Sequence, residues 1–352
     1  MGGGLAGSFL AAESLRAGHR VRMVDAGDPN AASRVAAGLY NVITGRAAKR
    51  TWLAETLLEH LYGFFEQPTF APLRAFLHPM PIYRPFRALE EVSDWELRLQ
   101  EPAYAALAER HTEPRHEAQI HNGLGGLLIK PCGWLDTTQF LAALHLHLTI
   151  HFDFALIREH FDYEALDPAT GKCTQEGLRE TFDEVVFAEG VGTKNNPWFH
   201  WLDIRPLKGQ IMDIHVPEFE PDFVLLRKVF MIPHKAEGEN FYTVGSTYEK
   251  YFDSTAPTEK GRAELCEHVE AAIKLPYEVR AHRASVRPTT PNRRPVMGRH
   301  PEHARLHVFN GMGTKGVLQA PWCATHFREW LDGKRPEVLK ELRLERFLKK
   351  IS

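Results

Sequence analysis

The chain has 352 residues, 43% hydrophobic and 25% charged, with a formal net charge of −2. These values describe a folded globular protein of about two domains and exclude a disordered chain, a fibre and a disulfide-stapled miniprotein. No run approaches about 18 consecutive apolar residues, so no membrane span is expected, and the near-neutral charge gives no overall pull on nucleic acid or anionic lipid.

The chain opens Met1-Gly2-Gly3-Gly4-Leu5-Ala6-Gly7. Leu5, Phe9, Ala12 and Leu15 recur at helical spacing, and Gly18 is a C-terminal stop. There is no basic leader, and Glu13-Ser14 interrupts the apolar stretch, so this is a helix rather than a secretion signal. Val21–Asp25 reads as a buried strand ending in a carboxylate, followed by a turn at Gly27–Asn30. Residues 51–66 form an amphipathic helix. Residues 76–86, with Pro79, Pro81 and Pro85, are extended. Residues 87–111 are charged and predicted helical. Leu127–Ile129 is a strand, and Gly133–Asp136 leads into a helix capped by Asp136 or Thr137. Strands are also predicted at Glu184–Ala188, Gln210–His215, Val229–Pro233, Phe241–Ser246 and Leu306–Asn310. A glycine turn at Gly311–Gly316 precedes a helix from about Pro321 to Leu331. With no repeat and no linker, a second domain must be inserted rather than appended. Cys132, Cys173, Cys266 and Cys323 are widely spaced, which suits free thiols in a reducing cytoplasm.

Several patterns carry chemistry. Gly2-x-Gly4-x-x-Gly7, then a helix, a strand and Asp25, supplies a tight turn, a close approach for pyrophosphate and a ribose-binding carboxylate. Ser33–Tyr40 is rich in small residues, which serves either a flat ligand or a tightly packed helix start. Arg287 beside Pro288 suits carboxylate recognition or a surface ion pair. Asn310–Gly316 offers consecutive N–H groups for an anion, with Lys315 adding charge, or is a plain connection. His145, His147 and His151 share a face only on a strand; residues 138–148 read as helix, so no metal is expected. The G-x-S-x-G, P-loop and H-E-x-x-H motifs are missing from the sequence. The tail carries Lys340, Arg343, Arg346, Lys349 and Lys350 interleaved with Glu341 and Glu345, either a nucleic-acid contact or a solvated helix.

The ordered set formed by the N-terminal glycines, Asp25, Ala36–Leu39, Gly133–Asp136, Val185–Gly192, Lys208–Gln210, Val244–Tyr248, Arg287-Pro288 and Asn310–Gly316 resembles the FAD-dependent D-amino acid oxidase superfamily, which includes glycine and sarcosine oxidases. The second half is also similar to the oxidoreductase part of bacterial enzymes that modify wobble uridine in tRNA. The resemblance implies an α/β fold with an α+β insert. Residues 1–75, 133–204 and 285–352 would form a Rossmann-type FAD-binding domain, interleaved with an antiparallel-sheet substrate domain of residues 76–132 and 205–284.

It implies that Gly2, Gly4 and Gly7 cradle the pyrophosphate and Asp25 the ribose. Ala37, Gly38, Gly190, Gly313, Thr314, Lys315 and Gly316 would line the rest of FAD. Arg287 would grip a substrate carboxylate, Phe230 and Tyr248 would line the substrate, and Lys250 would activate oxygen. The implied reaction transfers hydride from a C–N bond of an amino acid or N-substituted glycine to the flavin, with O2 as acceptor. The alternatives are a tRNA-modifying oxidase acting on a carboxymethylaminomethyl-uridine and a non-catalytic flavoprotein. Phe230 stands where relatives often carry tyrosine, and Thr314 where glycine oxidases carry arginine. Ser285 stands where sarcosine oxidases attach flavin through cysteine, which implies non-covalent FAD. In a Rossmann domain a central strand precedes the glycine turn. None precedes it here, so roughly six to ten residues are expected to be missing, with a gap in the sheet and weak FAD binding.

Overall fold

Four apolar residues on one stripe, Leu5, Phe9, Ala12 and Leu15, are all buried along α1 (Leu5–Arg16), which leads into β1 (Val21–Val24). The computed structural model describes residues 1–45, 48–113, 115–234 and 238–350. A short helix α2 (Ala32–Val35) is followed by β2 (Leu39–Tyr40), then by a hairpin of β3 (Ile43–Thr44) and β4 (Lys49–Arg50). The amphipathic stretch becomes α3 (Ala54–Glu66), and the proline-rich one becomes β5 (Leu77–Pro79) and β6 (Ile82–Pro85).

The charged stretch departs from expectation. It is helical only in α4 (Leu89–Arg98) and α5 (Pro102–Ala105), and its end is a strand, β7 (Ala108–His111). β7 is the outermost strand of its sheet, where charged side chains stay in water and block further pairing. β8 (Gly126–Ile129) and β9 (Gly133–Leu135) follow. Asp136 then caps α6 (Thr137–His151), its carboxylate accepting from Gln139 N at 3.0 Å, and the chain continues into β10 (Phe154–Ile157).

Next come β11 (Val185–Phe187), β12 (Arg205–His215), β13 (Val224–Arg227), β14 (Val229–Pro233) and β15 (Phe241–Gly245). After α7 (Glu259–Glu270), the long β16 (Glu278–Thr289) runs across the expected domain boundary at 284/285. β17 (Val296–Arg299), β18 (Leu306–Asn310) and α8 (Gly316–Leu331) close the chain. α8 starts a turn earlier than expected and holds Pro321 inside it. The lost Pro321 N–H bond is outweighed because Val317, Leu318, Ala320, Cys323 and Phe327 are all buried, with α8 packed on α1 and α3.

Eight strands form one sheet in the order β16-β12-β15-β14-β13-β6-β8-β7, antiparallel throughout except for the parallel β13–β6 pair. α7 covers one face of it through Met212, Ile214, Leu265 and Val269. Two further parallel pairs, β1–β10 and β11–β18, lie in two separate sheets, the second extended by β17 antiparallel to β18. Met1 and Gly2 bridge them: Gly2 N donates to Val24 O at 2.8 Å, and Ala188 N donates to Met1 O at 2.7 Å.

Candidate functional site

The glycine turn packs too tightly for side chains. Gly2 has φ +98°, and a Cβ there would run into Ala188 O; one at Gly7 would overlap Gly2 O. Gly4 caps α1 and has no side chain to bond the first-turn N–H groups. Ser33 Oγ accepts from Leu5 N at 3.0 Å, bringing α2 over this end. Asp25 sits beside it, accepting from Gly3 N at 2.6 Å and Gly27 N at 2.8 Å. Burial works against its charge, but those N–H donors and the cations of Arg34 and Arg158 outweigh it, so its pKa lies below the ordinary aspartate value.

The segment carrying Ala37 and Gly38 is clamped to α6. Thr137 Oγ1 donates to Ala36 O at 3.0 Å, and Thr138 Oγ1 donates to Arg34 O at 2.8 Å. Gly38 has φ +73°, and a Cβ would overlap Leu135 O. A narrow cavity lined by Ala36, Ala37, Trp134, Ile211 and Thr243 separates this segment from the large sheet. The Trp134 Nε1 is buried there without a partner among the described residues.

Three turns meet at the other end. Asn310 Nδ2 donates to Gly190 O at 2.8 Å and to Thr193 Oγ1 at 2.6 Å, while its Oδ1 accepts from Gly311 N. Gly313 N donates to Pro288 O at 3.0 Å, joining the glycine turn to the Arg287-Pro288 strand end. Thr314 is exposed, Gly316 begins α8, and the Lys315 Nζ donates to Thr44 Oγ1 at 3.0 Å and Thr51 Oγ1 at 2.8 Å.

The sheet presents Arg287 on the face opposite α7. Register explains how. β12 pairs β16 so that Leu207 faces Arg287 across the ladder, and the guanidinium lies over Gly209, whose missing side chain makes the room. The same device works next door: Phe230 stands opposite Gly245, and a Cβ on Gly245 would press on its ring. Arg287 Nη2 donates to Ser246 Oγ at 2.7 Å and Nη1 to Thr247 O at 3.4 Å, and its guanidinium carbon lies 5.0 Å from the Tyr248 ring centre. Burial pulls its pKa down, and among the described residues no carboxylate answers its charge. A surface ion pair is therefore not what this arginine makes.

Behind it, Thr247 Oγ1 accepts from Gln210 N at 3.0 Å, and Glu249 Oε1 accepts from Gln210 Nε2 at 2.6 Å and Thr247 Oγ1 at 3.1 Å. Buried Lys208 lies 3.8 Å from Glu249 Oε2. Lys250 stands apart: it is exposed, and no bond ties it to Arg287 or Phe230. Lys208–Gln210 and Val244–Tyr248 stand in the sequence only as parts of the family pattern, with no role given to Gly209, Ser246 or Thr247, and Glu249 carries no sequence signal of its own. Their signal is the pairing of β12 with β15 and β16, which spacing alone does not give.

His145 turns to Ser8, with Nε2 and Oγ 2.8 Å apart, while the rings of His147 and His151 meet at 4.4 Å on another face of α6. In the tail, Arg343 pairs with Glu337, Arg346 donates to the carbonyls of Arg294 and Pro295, and Lys340 is exposed. The side chains of Lys349 and Lys350 lie outside the described residues. No helix among the described residues is long and apolar enough to cross a membrane.

The sequence profile of the FAD dependent oxidoreductase family, DAO, matches residues 1–330. A curated relative, the tRNA 5-methylaminomethyl-2-thiouridine biosynthesis bifunctional protein MnmC of Paracidovorax citrulli, is 26% identical over 99% of the chain, which spans 59% of that relative's length. Glycine oxidase from Geobacillus kaustophilus superposes with a TM-score of 0.81 at 18% identity, covering 97% of this chain and 96% of its own. Iminodiacetate oxidase from Chelativorans sp. BNC1 superposes at 0.77 and 20% identity, covering 97% of each chain. The architecture fits the cofactor that the profile names: a tight glycine turn at a helix start for a pyrophosphate, a charged Asp25 beside it, and tight backbone at Gly38.

Proposed function

Because this chain belongs to the FAD dependent oxidoreductase family, we propose that it oxidises the C–N bond of an amino acid or N-substituted glycine. The observation that carries this reading is Arg287, a part-buried guanidinium aligned by Ser246, Thr247 and Tyr248 and left without a carboxylate partner. Its planar fork matches a substrate carboxylate. FAD, when bound, supplies the hydride acceptor for the oxidation. Gly2, Gly4 and Gly7 would hold its pyrophosphate and Asp25 its ribose. Ala37, Gly38, Gly190 and Gly313–Gly316 would line the remainder, and Ser285 would leave the attachment non-covalent. The chain's own work is orientation: Arg287 fixes the carboxylate, so the adjacent carbon is held in place. Phe230, Ile211 and Ile232 keep water from that carbon. O2 as electron acceptor and a cytoplasmic location complete the reading.

Anaerobic addition of sarcosine, iminodiacetate, glycine and D-alanine to the FAD-loaded protein tests this. At least one should bleach the flavin absorbance. Bleaching by an amine without a carboxylate, with none by the four acids, defeats it; so does a protein that takes up no FAD on refolding. A second reading, oxidation of a carboxymethylaminomethyl-uridine in tRNA, is favoured by the similarity to MnmC along almost the whole chain. It requires tRNA binding at low salt.

A further inference from the structure

At the glycine turn of 313–316, three chain segments bring together cations that form no ion pair among the described residues. Lys315 comes from that turn, Arg293 and Arg294 from the loop between β16 and β17, and Arg346 from the tail. The β3–β4 hairpin and the residues after it supply Thr44, Thr51 and Trp52. The loop is fixed by Thr290 Oγ1, which donates to Arg294 O at 2.6 Å, and Arg346 Nη2 donates to the same carbonyl at 3.0 Å. Arg294 lies over Trp52, its guanidinium carbon 4.7 Å from the ring centre, a contact that uses none of its N–H donors. The Lys315 ammonium uses two of its three protons on Thr44 and Thr51 and has one to give. Arg346 keeps Nε and Nη1 buried without acceptors.

Among the described residues none of these four cations is ion-paired, although Glu341 is felt at Arg294. The mutual repulsion is visible. Burial first, then Arg294 and Arg293, pull the Lys315 pKa to about 8. Burial and Arg294 bring Arg346 to about 10. In a chain with a net charge of −2, such a cluster costs stability unless a ligand neutralises it.

We propose that Arg293, Arg294 and Lys315, backed by Arg346, form a phosphate-binding site, with the Arg294–Trp52 pair as a stacking surface for a ring attached to that phosphate. Three neighbouring cations suit a phosphate, which carries more charge and more acceptor oxygens than a carboxylate. Arg287 already serves a carboxylate in the reading above; Lys315 borders FAD in that reading, so the test rests on Arg293 and Arg294, and binding is measured without turnover.

The test uses the FAD-loaded protein, so the pyrophosphate of FAD cannot account for the result. Inorganic pyrophosphate is titrated by calorimetry, and a labelled single-stranded RNA octamer by fluorescence anisotropy. Arg293 is exposed, so Arg293→Glu probes the site without disturbing the core; Arg294→Ala is the second variant, with FAD content and melting temperature as folding controls. Each should weaken binding about tenfold or more, and Arg294→Ala should lower the salt slope by about 1. RNA binding that pyrophosphate competes away assigns the site to strand phosphates. Pyrophosphate binding without RNA binding assigns it to a small phosphorylated ligand. Binding of neither, or affinities within twofold of wild type in both correctly folded variants, overturns the proposal.

Discussion

Arg287→Met should separate activity from stability. In the wild type the guanidinium is desolvated, held by one hydroxyl and one carbonyl, and unpaired by any carboxylate among the described residues. Removing a charge that a bound carboxylate pairs with costs about 2–5 kcal/mol of binding. That corresponds to roughly a 30-fold to several-thousand-fold fall in the rate constant for flavin bleaching at limiting substrate. The fold should not suffer equally. An unanswered, partly buried charge opposes folding, and methionine fills much of the same volume with no desolvation cost. The melting temperature should therefore hold or rise, the trade-off expected of a residue kept for a ligand. The assay is anaerobic stopped-flow bleaching with an N-substituted glycine, alongside thermal melts of the same preparation. A melting temperature lower by several degrees, with bleaching slowed less than threefold, would falsify the reasoning and make Arg287 a structural residue.

Gly38→Ala places a methyl group on Leu135 O at φ +73°, so it should cost about 1–3 kcal/mol and reduce the flavin bound per protein, read from absorbance and urea unfolding. Glu249→Ala leaves Lys208, 1% exposed, without its counter-charge and should destabilise by about 3 kcal/mol; in a Lys208→Met background the same change should cost far less, and equal costs refute the coupling. Lys315 gives a pH signature in the apoprotein. Its pKa falls from 10.5 to about 8, so the unfolded chain holds the proton more tightly. The penalty is complete below pH 8 and is lifted as pH rises towards 10.5. The stability of wild type relative to Lys315→Met should rise over that window by up to about 3 kcal/mol, and a flat difference in urea midpoints refutes the assignment.

The parts of the site made by neighbours in sequence were legible there. The glycine turn, α1 and Asp25 lie within one βα unit's worth of chain, and each signal is local: helical spacing, a stop at Gly18, a strand ending in a carboxylate. A cap at Asp136 or Thr137 was legible for the same reason, and Asp136 is the one that takes it. Errors arose where tertiary packing overrode local preference. Ala108–His111 carries helix-compatible charges, yet β8 offers it an edge to pair with. Pro321 looks like a helix start, yet burial on all sides of α8 carries the helix through it.

The remaining site residues were hidden for a different reason: their meaning depends on register. Gly209 and Gly245 belong to the family pattern in the sequence, but what each makes room for appears only when β12, β15 and β16 are aligned. Only then does one make room for the Arg287 guanidinium and the other for the Phe230 ring. A one-residue slip of β12 would turn Gly209 to the α7 face and bring Lys208 or Gln210 under Arg287. Lys208, paired with Glu249 behind the sheet, and Gln210, bonded to Glu249 and Thr258, oppose that slip. The polar group behind the sheet thus fixes the register that the apolar residues of β12 would specify only loosely, and the position of Arg287 depends on a network it meets only at the Thr247 carbonyl.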